Sequence, residues 1–238
     1  LSNSGLTMPI IKERDKRLLT KKFERELRGN VRIIVFTGKR GCEYCEAAKR
    51  IVEEVSQLSD KLVPEYYDVE EDGGKAELWE VDKVPAILLF GEREYGVRFF
   101  GLPSGYEFVT LIEDIVDVSK GKSRLSPTSK KKAASIKTPL HLQVFVTPTC
   151  PYCPRAVRVA HQLAIENEFV KADMVEATEF PELSRKYEVM AVPKIVINDR
   201  YAFEGALPEP YFINYVIAAA EGKVEEPSEG YEGPVSRV

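Results

Sequence analysis

Cys150-Pro151-Tyr152-Cys153 stands between an apolar run, Leu142-Gln143-Val144-Phe145-Val146-Thr147, and a second run, Arg155-Ala156-Val157-Arg158-Val159-Ala160, whose apolar residues recur at helical spacing. The pattern predicts a strand, a tight turn and a helix, with two thiols at the helix's first turn. Residues i and i+3 of a helix share a face, with Cβ atoms ~5–6 Å apart, a short step from the Cα separations that a disulfide tolerates. The pair can close and reopen with little backbone movement. A helix start also leaves backbone N–H groups unsatisfied and carries partial positive charge, which favours the nucleophilic thiolate form of Cys150.

The same device occurs earlier as Cys42-Glu43-Tyr44-Cys45, after Val31-Arg32-Ile33-Ile34-Val35-Phe36 and before a helical pattern with Ala48, Ile51, Val52, Val55 and Leu58 on one face. Cys42 to Cys150 and Cys45 to Cys153 are each 108 positions apart, and so are Glu80-Val81-Asp82-Lys83-Val84-Pro85 and Glu188-Val189-Met190-Ala191-Val192-Pro193. Three landmarks with one offset make an internal repeat. The 238 residues therefore divide into two units, 1–119 and 120–238, each long enough to bury a core.

The net charge of −4 and pI near 5.5 give no basic field for nucleic acid. No uncharged apolar run reaches ~18 residues and no charged-then-apolar leader opens the sequence, so neither a membrane span nor a secretory signal is expected and a cytoplasmic protein is the default. Three Gln and five Asn beside 72 charged residues of both signs lean towards a hyperthermophile. Hyperthermophiles are the exception to the rule that intracellular proteins lack disulfides.

In chain order, residues 10–27 read as an amphipathic helix ended by Gly29-Asn30. A strand over 31–36, the Gly38-Lys39-Arg40-Gly41 loop, the first Cys pair with its helix to about 59, a strand over 62–69 and a short helix at 75–80 follow. A buried strand over 86–90 and its hairpin partner over 94–100 lead to Ser104-Gly105-Tyr106-Glu107, a capping-box pattern opening a helix that stops near Gly121. The polar stretch 120–138 marks the boundary, with a helix expected from Ser126 to mirror the opening one. The second unit repeats the series: strand 140–147, the second Cys pair and helix to about 165, strand 169–176, helix 181–187, strands 194–198 and 201–204, and a last helix over 210–220. Residues 221–238, acidic with Gly and Pro, are expected to be disordered, and residues 1–8 lack periodicity. Each unit reads αβαβαββα, a small layered α/β fold with a mixed sheet flanked by helices.

A Cys-x-x-Cys at a strand-to-helix turn, followed ~40 residues later by Val-Pro before a closing hairpin, resembles the thioredoxin fold. Two such units in one chain resemble the protein disulfide oxidoreductases of thermophilic archaea and bacteria, a glutaredoxin-like family, over residues 10–220. The resemblance implies two tandem thioredoxin-like folds and cis bonds at Val84–Pro85 and Val192–Pro193. It also implies that the backbone beside each Cys pair receives an extended substrate segment by strand addition. It further implies recharging by a flavin-containing, NADPH-dependent reductase, with no cofactor beyond the redox-active disulfides. The chain departs from its relatives in two places. Glu204-Gly205-Ala206-Leu207 stands where glutaredoxins carry their Gly-Gly-x-Asp glutathione signature. Phe36 and Val144 occupy the position, six residues before the first Cys, where thioredoxin keeps a buried acid.

Other chemistries fit these residues less well. Four thiols could hold one zinc ion, but structural pairs usually sit on knuckles about 12–20 residues apart, and these open long helices; no metal is expected. Inert cross-links are disfavoured because a four-residue ring closes little chain entropy. His141 begins a strand and His161 lies two turns into a helix, which suits scaffold roles better than a Cys/His protease. Lys130-Lys131-Lys132 is short and isolated, a solvated face. The expected activity is therefore exchange with protein disulfides. Cys42 or Cys150 attacks, Cys45 or Cys153 resolves, Val84, Pro85, Val192 and Pro193 border the substrate, and Tyr44 and Tyr152 shield the thiols or contact it. A dedicated electron carrier to a peroxidase and a non-enzymatic adaptor are the alternatives. Of the two sites, Cys150/Cys153 is expected to carry more of the activity. Pro151 suits the first helical position, whereas Glu43 repels a thiolate at Cys42 against the opposing pull of Lys39 and Arg40.

Overall fold

The computed structural model describes residues 9–223 and 235–237. The first half contains α1 (Glu13–Glu26), β1 (Val31–Thr37), α2 (Cys45–Ser56), β2 (Leu62–Asp68), α3 (Gly73–Leu78), β3 (Ala86–Phe90), β4 (Glu94–Phe100) and α4 (Glu107–Lys120). The second contains α5 (Pro127–Ala133), β5 (Leu140–Val146), α6 (Cys153–Glu166), β6 (Val170–Glu176), α7 (Pro181–Lys186), β7 (Lys194–Ile197), β8 (Tyr201–Glu204) and α8 (Glu209–Ala220), followed by β9 (Val235–Arg237). The two halves repeat one series of elements, as two tandem thioredoxin-like folds.

Their strands form a single mixed sheet of nine described strands, in the order β2-β1-β3-β4-β6-β5-β7-β8-β9. The halves meet where β4 pairs in parallel with β6, Val97 opposite Ala172 through Phe100 opposite Val175. Both partners are consequently interior strands, which explains why β4 is buried from Tyr95 to Phe100. Strands β1, β4, β6 and β5 all run in one direction, since β3 is antiparallel to both β1 and β4. The C-terminal ends of β1 and β5, each of which feeds a Cys pair, therefore open on the same rim of the sheet.

Side-chain alternation divides the core. Ile33, Val35, Ile87 and Leu89 face a layer built from α1, α2, α4, α5, α6 and α8, whereas Ile34, Phe36, Leu88 and Phe100 face α3, and Phe145, Val175 and Val196 face α7. The junction carries one buried polar knot. Arg98 Nε and Nη2 donate to Asp173 Oδ1 and Oδ2 at 2.6 and 2.9 Å, and Arg98 Nη1 reaches the Trp79 and Glu80 carbonyls. His141 Nε2 lies 2.7 Å from Asp173 Oδ2, so that nitrogen carries the hydrogen. On the helical side, Arg158 of α6 pairs with both Asp114 and Asp117 of α4.

Three expectations change. The opening helix starts at Glu13 rather than residue 10, because the N–H groups of Ile10 and Ile11 donate to the Glu54 carboxylate on α2 and hold that segment extended. Ser104 does not form a capping box. The N–H of Glu107 goes to the Ser104 backbone carbonyl, the N–H of Tyr106 goes to Pro148 of the other half at 3.2 Å, and the Glu107 side chain is turned inward. The tail expected to be disordered from 221 includes β9, which pairs antiparallel with β8; positions 224–234 lie outside the described residues. Gly121 ends α4 in the left-handed conformation, as its place in the sequence suggests.

Candidate active site

Each Cys pair sits at the end of a buried, β-branched strand that cannot continue through the loop after it, and at the start of an amphipathic helix. Cys42 is paired with Cys45 and Cys150 with Cys153, each disulfide having a Cα–Cα distance of 5.5 Å, so the four sulfurs form two separate local bridges. The helices open two residues later than the sequence suggests. Cys45 and Cys153 are their first residues, Tyr44 and Tyr152 are the caps, and Cys42 and Cys150 precede the caps. Pro151 and Glu43 are thus outside the helices, and Pro154 takes the early helical position that tolerates a missing N–H.

The local donors differ between the pairs. The free N–H of Cys153 points at Cys150 Sγ at 3.2 Å, and the Val192 carbonyl oxygen lies 3.7 Å from the same sulfur. In the first pair the Gly38 N–H approaches Cys45 Sγ at 3.4 Å, and a Cβ at Gly38 would stand 3.2 Å from Val84 Cγ2. Val84–Pro85 and Val192–Pro193 are cis, and the Gly101 and Gly205 N–H groups hold the Pro85 and Pro193 carbonyls at 2.8 Å. Cys45, Cys150 and Cys153 are buried, Cys42 is half-buried, and Tyr152 (70% exposed) and Met190 (90%) stand out beside the second pair.

Joining β4 to β6 brings part of the second half over the first pair. Leu102 N–H donates to Glu179 Oε1 at 2.8 Å, and a Cβ on Gly101 would meet Glu176 Cβ at 2.6 Å. Burial lifts the Glu179 carboxyl to about 7 against the Leu102 hydrogen bond, with Glu176 and Glu43 raising it further. The Tyr44 hydroxyl is likewise raised, first by Glu43 and then by burial, Glu179 and Glu176. Lys39, expected to offset Glu43, is engaged by Glu71. Sequence reasoning missed Glu176, Glu179 and Met190. Met190 was within reach, since it stands where the first unit has Asp82, but the two glutamates become neighbours of the first pair only through a strand pairing that no motif records.

The Thioredoxin domain family matches residues 140–218. A crystal structure of a protein disulfide oxidoreductase from Aeropyrum pernix is 34% identical with a TM-score of 0.84, over 90% of this chain and 95% of that one. The chain belongs to the protein disulfide oxidoreductases. It is a thiol–disulfide oxidoreductase acting on proteins, and its two Cys-x-x-Cys disulfides are the redox chemistry that this family implies. The AhpF component of alkyl hydroperoxide reductase from Staphylococcus aureus is 24% identical over 208 residues, 87% of this chain, and the oxidoreductase spans 38% of the length of that curated relative. The structure of AhpF from Enterococcus faecalis shares the fold at TM-score 0.80 and 24% identity, over 87% of this chain. Among the described residues no helix is long and apolar enough to cross a membrane.

Proposed function

We propose that Cys42 and Cys150 are the attacking thiols and Cys45 and Cys153 the resolving ones. A thiolate at Cys150 attacks one sulfur of a substrate disulfide, the other substrate sulfur leaves as thiolate, and Cys153 then displaces the bound sulfur to close the internal bridge. Run backwards, the same steps oxidise a substrate dithiol. The observation carrying this reading is the Cys153 N–H aimed at Cys150 Sγ, a donor that stabilises the outer sulfur as thiolate, together with the half-burial of Cys42 beside a buried Cys45 in the first pair. Val84, Pro85, Val192 and Pro193 border the substrate segment and Tyr44 and Tyr152 flank it, supported by the 3.7 Å approach of the Val192 carbonyl to Cys150 Sγ. The working units are residues 1–119 and 120–238.

The protein acts in the cytoplasm, its charge-rich composition suits a hyperthermophile, it needs no cofactor beyond its disulfides, and a flavin-containing, NADPH-dependent reductase recharges it. The test is incubation of the reduced protein with a disulfide-bonded test protein; exchange no faster than with free dithiol refutes the assignment. The likeness to AhpF of alkyl hydroperoxide reductase favours a second reading, delivery of electrons to a peroxidase. Scrambled-substrate refolding and peroxidase-coupled assays run side by side separate the two.

A further inference from the structure

The junction of the two units opens a groove of about 560 Å³. Asp82 and Lys83 of the first unit form one side of it, and Glu179, Phe180 and α7 of the second form the other. Since β6 runs parallel to β4 and β3 antiparallel to it, the end of β6 and the start of β3 both lie on the rim where the Cys pairs open. Asp82 and Lys83 lead directly into Val84 and its cis bond to Pro85, so the groove continues the backbone that borders the substrate of the first pair. Phe180 packs against the apolar clusters under both α3 and α7 and makes the floor, with Leu183 beside it.

The charges around this floor do not cancel. Lys83 Nζ is held by Asp82 Oδ1 at 2.6 Å and lies 4.0 Å from the centre of the Phe100 ring. Lys186 Nζ donates to the Tyr187 hydroxyl at 2.8 Å, which donates in turn to Asp199. That leaves Glu179 and the exposed Glu182, with Glu43 and Glu176 close enough to raise the Glu179 carboxyl. The Tyr44 hydroxyl, beside the first pair, feels Glu43, Glu176 and Glu179 as well. Both inner carboxylates are short of a donor. Glu179 uses Oε1 on the Leu102 N–H, while its Oε2 and the Oε1 of Glu176, a residue only 2% exposed, are buried without a hydrogen-bond partner among the described residues. Such acceptors destabilise the fold until a donor arrives, and a cation is the donor that also offsets their charge.

An apolar floor under an acidic rim matches one kind of side chain, an aliphatic stem that ends in a cation. We propose that the groove is a substrate subsite of the first pair, which takes a lysine or arginine side chain from the segment carrying the reacting disulfide. The inference deepens the exchange activity assigned above and rests on the placement of substrate against Val84. A strand added there advances ~3.3 Å per residue, and Asp82 lies two residues from Val84, so the basic residue stands about two positions from the reacting cysteine, on one side of it. Its stem lies on Phe180 and Leu183, and its charge meets Glu179 and Glu182. The second pair has no counterpart among the described residues. At the offset of 108, Met190 and Ala191 stand in place of Asp82 and Lys83, and the edge of β8 that corresponds to the β6 side of β4 is covered by the antiparallel β9.

The experiment uses the full chain with Cys150→Ser and Cys153→Ser, so that only the first pair works, and follows release of a fluorescent thiol from synthetic peptides joined to it by a disulfide. The peptides differ only in the residue two positions before or after the cysteine, which is lysine, glutamate or leucine. On the favoured side, the lysine peptide is expected to exceed its glutamate counterpart by about tenfold in kcat/KM at low ionic strength, chiefly through KM, and the ratio should shrink in high salt. The ratio should also grow from pH 6 to pH 8. Burial lifts the Glu179 carboxyl to about 7, with Glu176 and Glu43 adding to it, so its charge develops over that range. Glu182→Lys changes an exposed position and should bring the ratio towards one; Glu179→Gln should lower it and remove its pH dependence. The Cys42→Ser, Cys45→Ser protein, in which only the second pair works, should give a ratio near one. A lysine preference of equal size there, or one that survives both Glu182→Lys and Glu179→Gln at the first pair, overturns the subsite while leaving the exchange intact. Failure of the first-pair protein to release thiol from any of the peptides refutes both.

Discussion

Replacing Asp173 by asparagine tests whether the two halves are held as one body by the knot at the β4–β6 junction. The carboxylate is fully buried and receives two hydrogen bonds from Arg98 at 2.6 and 2.9 Å and one from His141 at 2.7 Å, where solvent cannot replace them. The asparagine side chain could accept one of these bonds through its oxygen, but its NH₂ would face the remaining donors, and the Arg98 guanidinium would keep only the Trp79 and Glu80 carbonyls. Removing one partner of a buried pair costs about 3–5 kcal/mol, mostly from the stranded charge. With one of three bonds retained, a loss of about 3 kcal/mol is expected, or about 10 °C in Tm for a domain of this length. The joint replacement Arg98→Met, Asp173→Leu strands no charge and should lie within about 1 kcal/mol of the parent. Arg98 and its surroundings hold the Asp173 carboxyl well below its ordinary value, outweighing burial. Its contribution is therefore present above about pH 4 and disappears as pH falls through the lowered value, so the parent should lose stability below pH 4 more steeply than Asp173→Asn. Equilibrium denaturation followed by far-ultraviolet circular dichroism and by the fluorescence of the single Trp79 measures all of this. A loss below about 1 kcal/mol, or a double variant as unstable as the single one, would refute the reasoning.

Other outcomes are equally checkable. Since Glu107 is raised from 4.5 to about 7, its burial is harmless below about pH 4.5 and weakens the fold progressively up to pH 7, by about 3 kcal/mol once ionised; Glu107→Gln should flatten this decline in urea titrations at pH 5 and 8. Gly101 and Gly205 share φ values of +92 and +91, but only a Cβ at Gly101 would strike Glu176. Gly205→Ala should cost about 1 kcal/mol, and Gly101→Ala at least twice that, in matched thermal melts. Cys42 should alkylate at higher pH than Cys150, because Glu43, Glu176 and Glu179 crowd the first pair and Lys39 is held by Glu71. Alkylation of the Cys42→Ser and Cys150→Ser proteins across pH decides the order, and a lower value for Cys42 would overturn it.

The duplicated architecture was legible because its markers are short and local: a thiol pair after an apolar strand, and Val-Pro before a hairpin, recurring at one offset. The fusion of the two sheets was not legible. A residue such as Val97 or Ala172 looks the same in a strand that pairs with its own unit as in one that pairs with its neighbour. One signal was present and unused: Arg98 is a lone charge within an apolar run and Asp173 sits between Ala172 and Met174, and two opposite charges that must both be buried invite pairing. The capping box failed for a related reason: the Tyr106 N–H is taken by the Pro148 carbonyl of the other unit, and the Glu107 side chain is buried instead of turning back to cap the helix. Glu43 and Pro151 carried a sound electrostatic argument about a helix start, but the helices begin two residues later, and the ranking of the pairs now rests on glutamates from the second unit.

Opening both pairs on one rim of a continuous sheet makes the distance between them a matter of counting strands. From β1 to β5 there are four interstrand steps, about 19 Å at ~4.8 Å each. Hydrogen-bonded ladders are far stiffer than the linker that joins the units in sequence, so lengthening residues 121–126 would leave this separation unchanged, whereas in beads joined only by a tether it would alter their mutual concentration. Sulfurs so far apart cannot hand electrons to one another, and traffic between the pairs must travel on a third, diffusing dithiol. A polypeptide, by contrast, spans the gap in about six extended residues, so one substrate could have a cystine at each pair at once.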